Sequence, residues 1–189
     1  TQEDYYKVGT VIKIKQMLKI QGDTVRVLVE GLYRASISEV VSEEPFVTVA
    51  LDEIESIEYP ADDPETQARI RVMMDKFEEY KALKPNLKTD LYDLSVVMDD
   101  ADILTDTIAI QLDIDVAKKQ KILETADVKE RMVVLSGFLF EENQILDLEH
   151  KLSLQVEENV KQNQKEYYLR EQMKAIQNEL GLSLIHISE

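Results

Sequence analysis

The chain has 189 residues, 44% of them hydrophobic and 32% charged, which suits one or two folded domains and excludes a disordered polar segment. A formal net charge of -16 argues against a generic nucleic-acid binder, which would present a basic face. With no cysteine, disulfides, thiolate nucleophiles and cysteine zinc sites fall away together, a usage that fits a reducing cytoplasm. No apolar run approaches the ~18 residues of a membrane span.

From Val8 to Ile20 the pattern has a period of two. Val8, Ile12, Ile14, Leu18 and Ile20 alternate with Val11, Lys13, Lys15, Met17 and Lys19, which predicts a strand. Gly22-Asp23 fits a two-residue hairpin turn, and Val25, Val27 and Val29 alternate on the return. Gly31 marks a bulge or a bend. Further strands are expected at Leu32 to Val41 and Phe46 to Glu55, the latter opened by Pro45. The expectation is a meander of about four strands, too few to close a barrel by itself.

From Asp52 to Glu65 there are seven acidic residues and no basic one, with Pro60 and Pro64 inside. That composition reads as a linker with a domain boundary near residue 60. Asp63-Pro64 is a helix start, a capping aspartate followed by proline at the first helical position. Ile70, Met73, Phe77 and Tyr80 form the buried face of that helix, and Pro85 ends it. Shorter helices are expected at 89–98, 101–111 and 115–124, each near a Thr or Asp able to cap it.

Asp127 to Gly181 contains no proline and one interior glycine, Gly137. Asp127 and Glu130 stand at capping-box spacing, and Gly181 falls where a C-cap glycine belongs. Val128, Met132, Leu135, Leu139, Leu146, Leu152, Val156 and Val160 form one stripe at helical spacing. Leu169, Met173, Ile176 and Leu180 form a second. An unbroken helix here would be roughly 80 Å long and would need packing partners. The first stripe is expected to pack on the shorter helices, and the second on another subunit or module. The predicted class is α+β: an incomplete antiparallel β subdomain, an α-helical bundle and one very long C-terminal helix.

The chemistry is mostly absences. The five glycines are isolated, so no phosphate-cradling loop is available, and neither a Walker loop nor a dinucleotide fingerprint occurs. No serine sits in a nucleophile elbow. His150, flanked by Glu149 and Lys151, reads as a solvated surface histidine. Asp99, Asp100, Asp102 and Asp106 lack EF-hand spacing and its turn glycine, so helix caps and a solvated acidic face are the favoured reading over a divalent-metal site. Of Tyr167 and Tyr168, at least one is expected in ordinary packing.

One stretch is more specific. KEYYLREQMKAIQNELG, Lys165 to Gly181, closely resembles the signature that ends the N-terminal region of bacterial ATP-dependent Lon proteases. KKQKILETADVKERM, Lys118 to Met132, resembles the helix-to-helix junction of that region. VGTVIKIKQMLKIQGDTVRVLVEGLYRASI, Val8 to Ile37, resembles the second half of its β-rich subdomain. The resemblance covers residues 1 to about 181 in order. It implies a PUA-like β subdomain at 1–60, a short-helix bundle at 61–126 and a long helix at 127–181. It also implies a role without a reaction: recognising unfolded, damaged or tagged proteins, and contributing to assembly and gating of a homo-hexamer. The parent that it resembles is an ATP-dependent Ser-Lys endopeptidase that uses ATP and magnesium. None of its catalytic, cofactor-binding or metal residues has a matching position here, so all three sets are none. Tyr168, Leu169, Met173, Ile176 and Leu180 are the candidate inter-module contact. The family's opening strands would lie before Thr1 and its ATPase and protease modules after Gly181. The tail LSLIHISE, residues 182–189, departs from the family and reads as foreign sequence. Two other classes stay open. One is a free-standing adaptor self-associating through the long helix, weakened by Glu142, Glu149 and Asn163 at core positions. The other is a metal-dependent enzyme built on Asp99 to Asp106. Membrane partners are not expected, and nucleic acid is disfavoured.

Overall fold

The computed structural model describes residues 5–20, 22, 24–60, 62–85 and 94–186, with side chains described to residue 181. The element order is α+β, with the strands first: β1 (Val8–Lys19), β2 (Val25–Ser42), β3 (Thr48–Ile54), then α1 (Pro64–Leu83), α2 (Ala101–Gln111), α3 (Val116–Glu124) and α4 (Val128–His186). The chain divides into two compact units, Thr1–Asn143 and Gln144–Glu189.

The described strands form one antiparallel sheet in the order β1-β2-β3. Three strands stand where about four were expected, because the Val25 and Leu32 segments are one 18-residue strand. Gly31 does not break it. The register passes from Val11↔Tyr33 to Ile12↔Gly31, which leaves Leu32 as the extra residue of a bulge. A Cβ on Gly31 would meet the Thr10 methyl at 3.4 Å, an ordinary van der Waals contact. Gly22 supplies the turn's positive φ, at 87°. Asp23 lies outside the described residues.

A second bulge re-aims β1. Ile14 pairs with Val29, Gln16 with Leu28 and Met17 with Val27, so Lys15 is unmatched and the alternation changes phase. Met17 therefore shares a face with Ile12 and Ile14, while Leu18 moves to the other. The simple alternation expected from Val8 to Ile20 put them the opposite way. A single inserted residue reverses every later side chain, and nothing in the pattern announces it.

The helices begin and end as the local chemistry dictates. Asp63 caps α1 by accepting from Thr66 N at 2.8 Å, Pro64 is its first residue, and Pro85 follows the Lys84 C-cap. Asp100 caps α2 and Asp115 caps α3 in the same way. Of the helix expected at 89–98, residues 89–93 lie outside the described set, and Leu94–Val96 form a short 3-10 turn. Gly181 is not a C-cap. Helix α4 runs through it to His186, since the following residues include no helix breaker, and the positive-φ glycine among the described residues is Gly22.

Every described buried apolar side chain lies between Ala35 and Leu139. Met73, Phe77 and Tyr80 of α1, Leu104 and Ile108 of α2, Leu112, Ile122 of α3, and Val128, Met132, Leu135 and Leu139 of α4 make the core. Ile70 is only half-buried. The first stripe of α4 is thus buried through Leu139 and continues with buried Asn143, whose Nδ2 donates to Lys76 O at 2.9 Å. Leu146 is half-buried, and Leu152, Val156 and Val160 are exposed, against the expectation that the whole stripe would pack. Helices α1 to α3 total 40 residues and offer too little apolar surface to cover about nine turns of stripe.

Candidate functional site: a groove beside the sheet

Helix α2 presents Asp102 and Asp106, four residues apart and so on one helix face. They meet two arginines. Arg34 of β2 donates from Nη2 to both Asp106 carboxylate oxygens, at 2.6 and 2.5 Å. Its Nε donates to Leu123 O, in the last turn of α3, at 3.2 Å. Arg131 of α4 is fully buried and hydrogen-bonded to Asp102. It also donates to Asp106 at 3.3 Å, to Thr125 O at 2.7 Å and to Ala126 O at 3.1 Å. The two guanidinium groups therefore neutralise two carboxylates and satisfy carbonyls at the end of α3. A lysine, with one nitrogen, cannot reach so many partners. Asp102 and Asp106 are neither a solvated acidic face nor free to hold a cation: both are committed to arginine. Asp100 is the helix cap, as the sequence suggested. No group of metal-ligating side chains occurs among the described residues.

A second polar cluster fixes the start of α4. Ile57 and Asp127 form a parallel bridge, with Ile57 N to Ala126 O and Val128 N to Ile57 O each at 3.1 Å. Asp127 accepts from Glu130 N at 3.0 Å, the capping bond expected of it. Its other oxygen takes the Tyr59 hydroxyl at 2.6 Å. That bond is the main reason the Asp127 carboxyl lies below its ordinary range, and the carboxylate raises the Tyr59 hydroxyl in turn. Lys129 lies 4.0 Å from the Tyr59 ring centroid and bridges Asp63 at 3.0 Å and Glu65 at 2.9 Å. The hydrogen bonds from Thr66, and then the one from Lys129, hold the Asp63 carboxyl at about 2, down from 3.8.

The arginine–aspartate cluster borders a groove of about 660 Å³ between the bulged part of the sheet and helices α2 and α3. Thr10, Gly31, Leu32 and Tyr33 line one wall, and Ile103, Ile110, Ile122 and Leu123 the other, with Arg34 and Asp106 among them. Leu32, Tyr33, Ile103 and Ile110 are each 42–60% exposed. The arginine–aspartate cluster lies among the walls, and the walls leave apolar side chains exposed. Sequence reasoning missed this site. Arg34 carried no signal in the pattern, and the aspartates that flank the groove read only as caps or a solvated acidic face.

The candidate inter-module residues lie in the other unit. Leu169, Met173, Ile176 and Leu180 are 48–60% exposed, and Tyr168 is 62% exposed with its hydroxyl accepting from Gln172 at 3.0 Å. Tyr167 is exposed as well, so neither tyrosine takes the ordinary packing expected of one. His150 is on the surface as expected.

The description "ATP-dependent protease La (LON) substrate-binding domain" matches residues 1–140. This chain belongs to that family. The Lon protease of Heliobacterium modesticaldum is 42% identical to it over 179 residues, covering 95% of this chain and 22% of that protein. Lon protease 1 of Bacillus subtilis is 39% identical over 180 residues, covering 95% and 23%. Among solved structures, the N terminal domain of a Mycobacterium avium complex Lon protease superposes with a TM-score of 0.56 at 26% identity, over 71% of this chain and 70% of that one. The chain thus spans under a quarter of the length of the curated Lon relatives it matches. The groove, the sheet and the Arg34–Arg131 cluster all fall inside the matched residues. No described helix of this Lon-family chain is long and apolar enough to cross a membrane.

Proposed function

We propose that this chain is the substrate-recognition region of an ATP-dependent Lon-type protease, and that it catches unfolded polypeptide in the groove beside the sheet. The observation that carries the reading is the open apolar groove within a substrate-binding-domain match. An extended segment of a damaged protein presents apolar side chains that a folded protein hides, so a groove with exposed Leu32, Tyr33, Ile103 and Ile110 selects for unfolding. The chain itself performs no reaction; ATP, magnesium and the Ser-Lys chemistry belong to the rest of the protease. In the cytoplasmic homo-hexamer, the stripe Tyr168, Leu169, Met173, Ile176 and Leu180 docks on a neighbouring module and ties recognition to the ATPase ring. Binding of a reduced, alkylated model protein tests the reading. The wild-type chain should capture it, and Ile110→Glu should weaken capture about tenfold while melting stays unchanged. Equal capture by both proteins, or none by the wild type, overturns it.

A further inference from the structure

We propose that Tyr59 is a positioning residue for substrate capture: its bond to Asp127 latches the connector between β3 and α1 onto the start of α4, and so sets the spacing of the two groove walls. The inference rests on the groove reading and adds to it a residue that does not line the groove. Residues 55–63 join β3 to α1 and hold four acidic residues and no basic one. A segment of that composition repels itself and has little apolar surface to bury, so its path must be held by contacts from outside it. Those contacts come from residues 126–131, where α3 gives way to α4.

The latch joins the walls by short paths. Ile54 pairs with Arg34 across the sheet, and Arg34, Tyr33 and Leu32 belong to the sheet wall. Three residues further on, Ile57 bridges Asp127. Leu123, in the helix wall, stands four residues before Asp127. The connector thus leaves the sheet beside one wall and is fastened beside the end of the other. The backbone fastening is two hydrogen bonds at a residue 55% exposed, where water competes for both. Tyr59 reinforces it. Its hydroxyl donates to the Asp127 carboxylate at 2.6 Å, a charge-assisted bond. Its ring lies 4.0 Å from the Lys129 ammonium, and Lys129 in turn holds Asp63 and Glu65 at the start of α1. The Asp127 carboxylate serves both ends: one oxygen caps α4 through Glu130 N, and the other takes Tyr59. Removing the Tyr59 hydroxyl therefore loosens the connector without removing the cap. It leaves the backbone bridge, Arg34 and the Gln120 bond to Val8 O to tie the sheet to the helices.

The test pairs a distance with a binding measurement on the whole chain. The chain holds no cysteine, so Glu39→Cys on β2 and Lys121→Cys on α3, both exposed, take spin labels at two known places. Dipolar spectroscopy should give one narrow distance distribution for the otherwise wild-type chain and a broader one once Tyr59→Phe is added. Without labels, Tyr59→Phe should weaken capture of a reduced, alkylated model protein about fivefold. Asp127→Ser keeps a capping oxygen and lacks the second, so it should reproduce both effects, and the double variant should add nothing further. Phe77→Leu, in the core of α1, should lower melting at least as far as Tyr59→Phe and move neither readout, which separates latching from general stability. An unchanged distance distribution in Tyr59→Phe, a broadened one with capture intact, or additive losses in the double variant overturns this inference and leaves the groove reading standing. Absence of capture by the wild-type chain overturns the groove reading, and this inference with it.

Discussion

Arg131 shows what one side chain settles here. It is fully buried, and its guanidinium reaches Asp102, Asp106 and the carbonyls of Thr125 and Ala126. Arg131→Met leaves Asp102 without its nearest cation and the Thr125 carbonyl without its arginine donor, while the Ala126 carbonyl keeps Ile57 N, so denaturant unfolding should show a loss of about 3–5 kcal/mol. Pairing it with Asp102→Asn should recover part of that loss, and strict additivity would contradict the coupling. Asp63 makes a pH prediction. Its carboxyl is depressed in the folded state, so it contributes stability that is complete above 3.8 and is lost as pH falls toward about 2. Titration followed by NMR should place the Asp63 carboxyl near the bottom of that window. Lys129→Ala should move it only part of the way back, since the bonds from Thr66 remain. A full return to 3.8 would show that the lysine, not the helix cap, sets it.

At the scale of elements, α4 holds two regimes along one helix. Up to Asn143 its inward face is buried every three or four residues; from Leu148 to Gly181 every residue is exposed. Substitutions should divide at that point. Leu135→Ala removes a fully buried side chain and should cost about 2–5 kcal/mol. Met173, 60% exposed, should tolerate Met173→Lys with no measurable shift in melting. Thermal melts of the two variants side by side check both statements, and a large loss for Met173→Lys would mean that face is covered in solution.

At the scale of the whole molecule, stabilisation is concentrated in residues 1–143. That unit holds the sheet, the core and both polar clusters. Residues 144–181 contain no buried side chain, and the ion pairs within them, Lys151–Asp147 and Lys174–Glu171, are exposed. Such pairs contribute only a few tenths of a kcal/mol each. A peptide of residues 144–189 should therefore lose its helix gradually on heating, whereas the 1–143 unit should unfold in one cooperative step. Circular dichroism distinguishes the two. A sharp, concentration-dependent melt of the peptide would instead reveal self-association through Leu169, Met173, Ile176 and Leu180.

The sequence by itself determined what depends on neighbours in the chain. Asp63-Pro64, Asp100 and Asp115 set helix starts through bonds from the backbone N–H three residues on, and those starts were legible. The spacing of Met73, Phe77 and Tyr80, and of Val128 to Leu139, named core residues because a helix fixes which positions share a face. Family-specific stretches such as Lys165 to Gly181 named the lineage. Tertiary structure alone decided which stripe positions found partners, and so where burial on α4 stops. It alone converted Asp102 and Asp106 from an apparent solvated face into counterions of Arg34 and Arg131, residues 72 and 25 positions from Asp106. It alone inserted the bulge at Lys15, which changed the facing of β1, and it settled the bulge or bend marked by Gly31 as an extra residue at Leu32 in β2. Register and long-range ion pairing are set by what two distant segments offer each other, and a period read along one segment contains no information about the other.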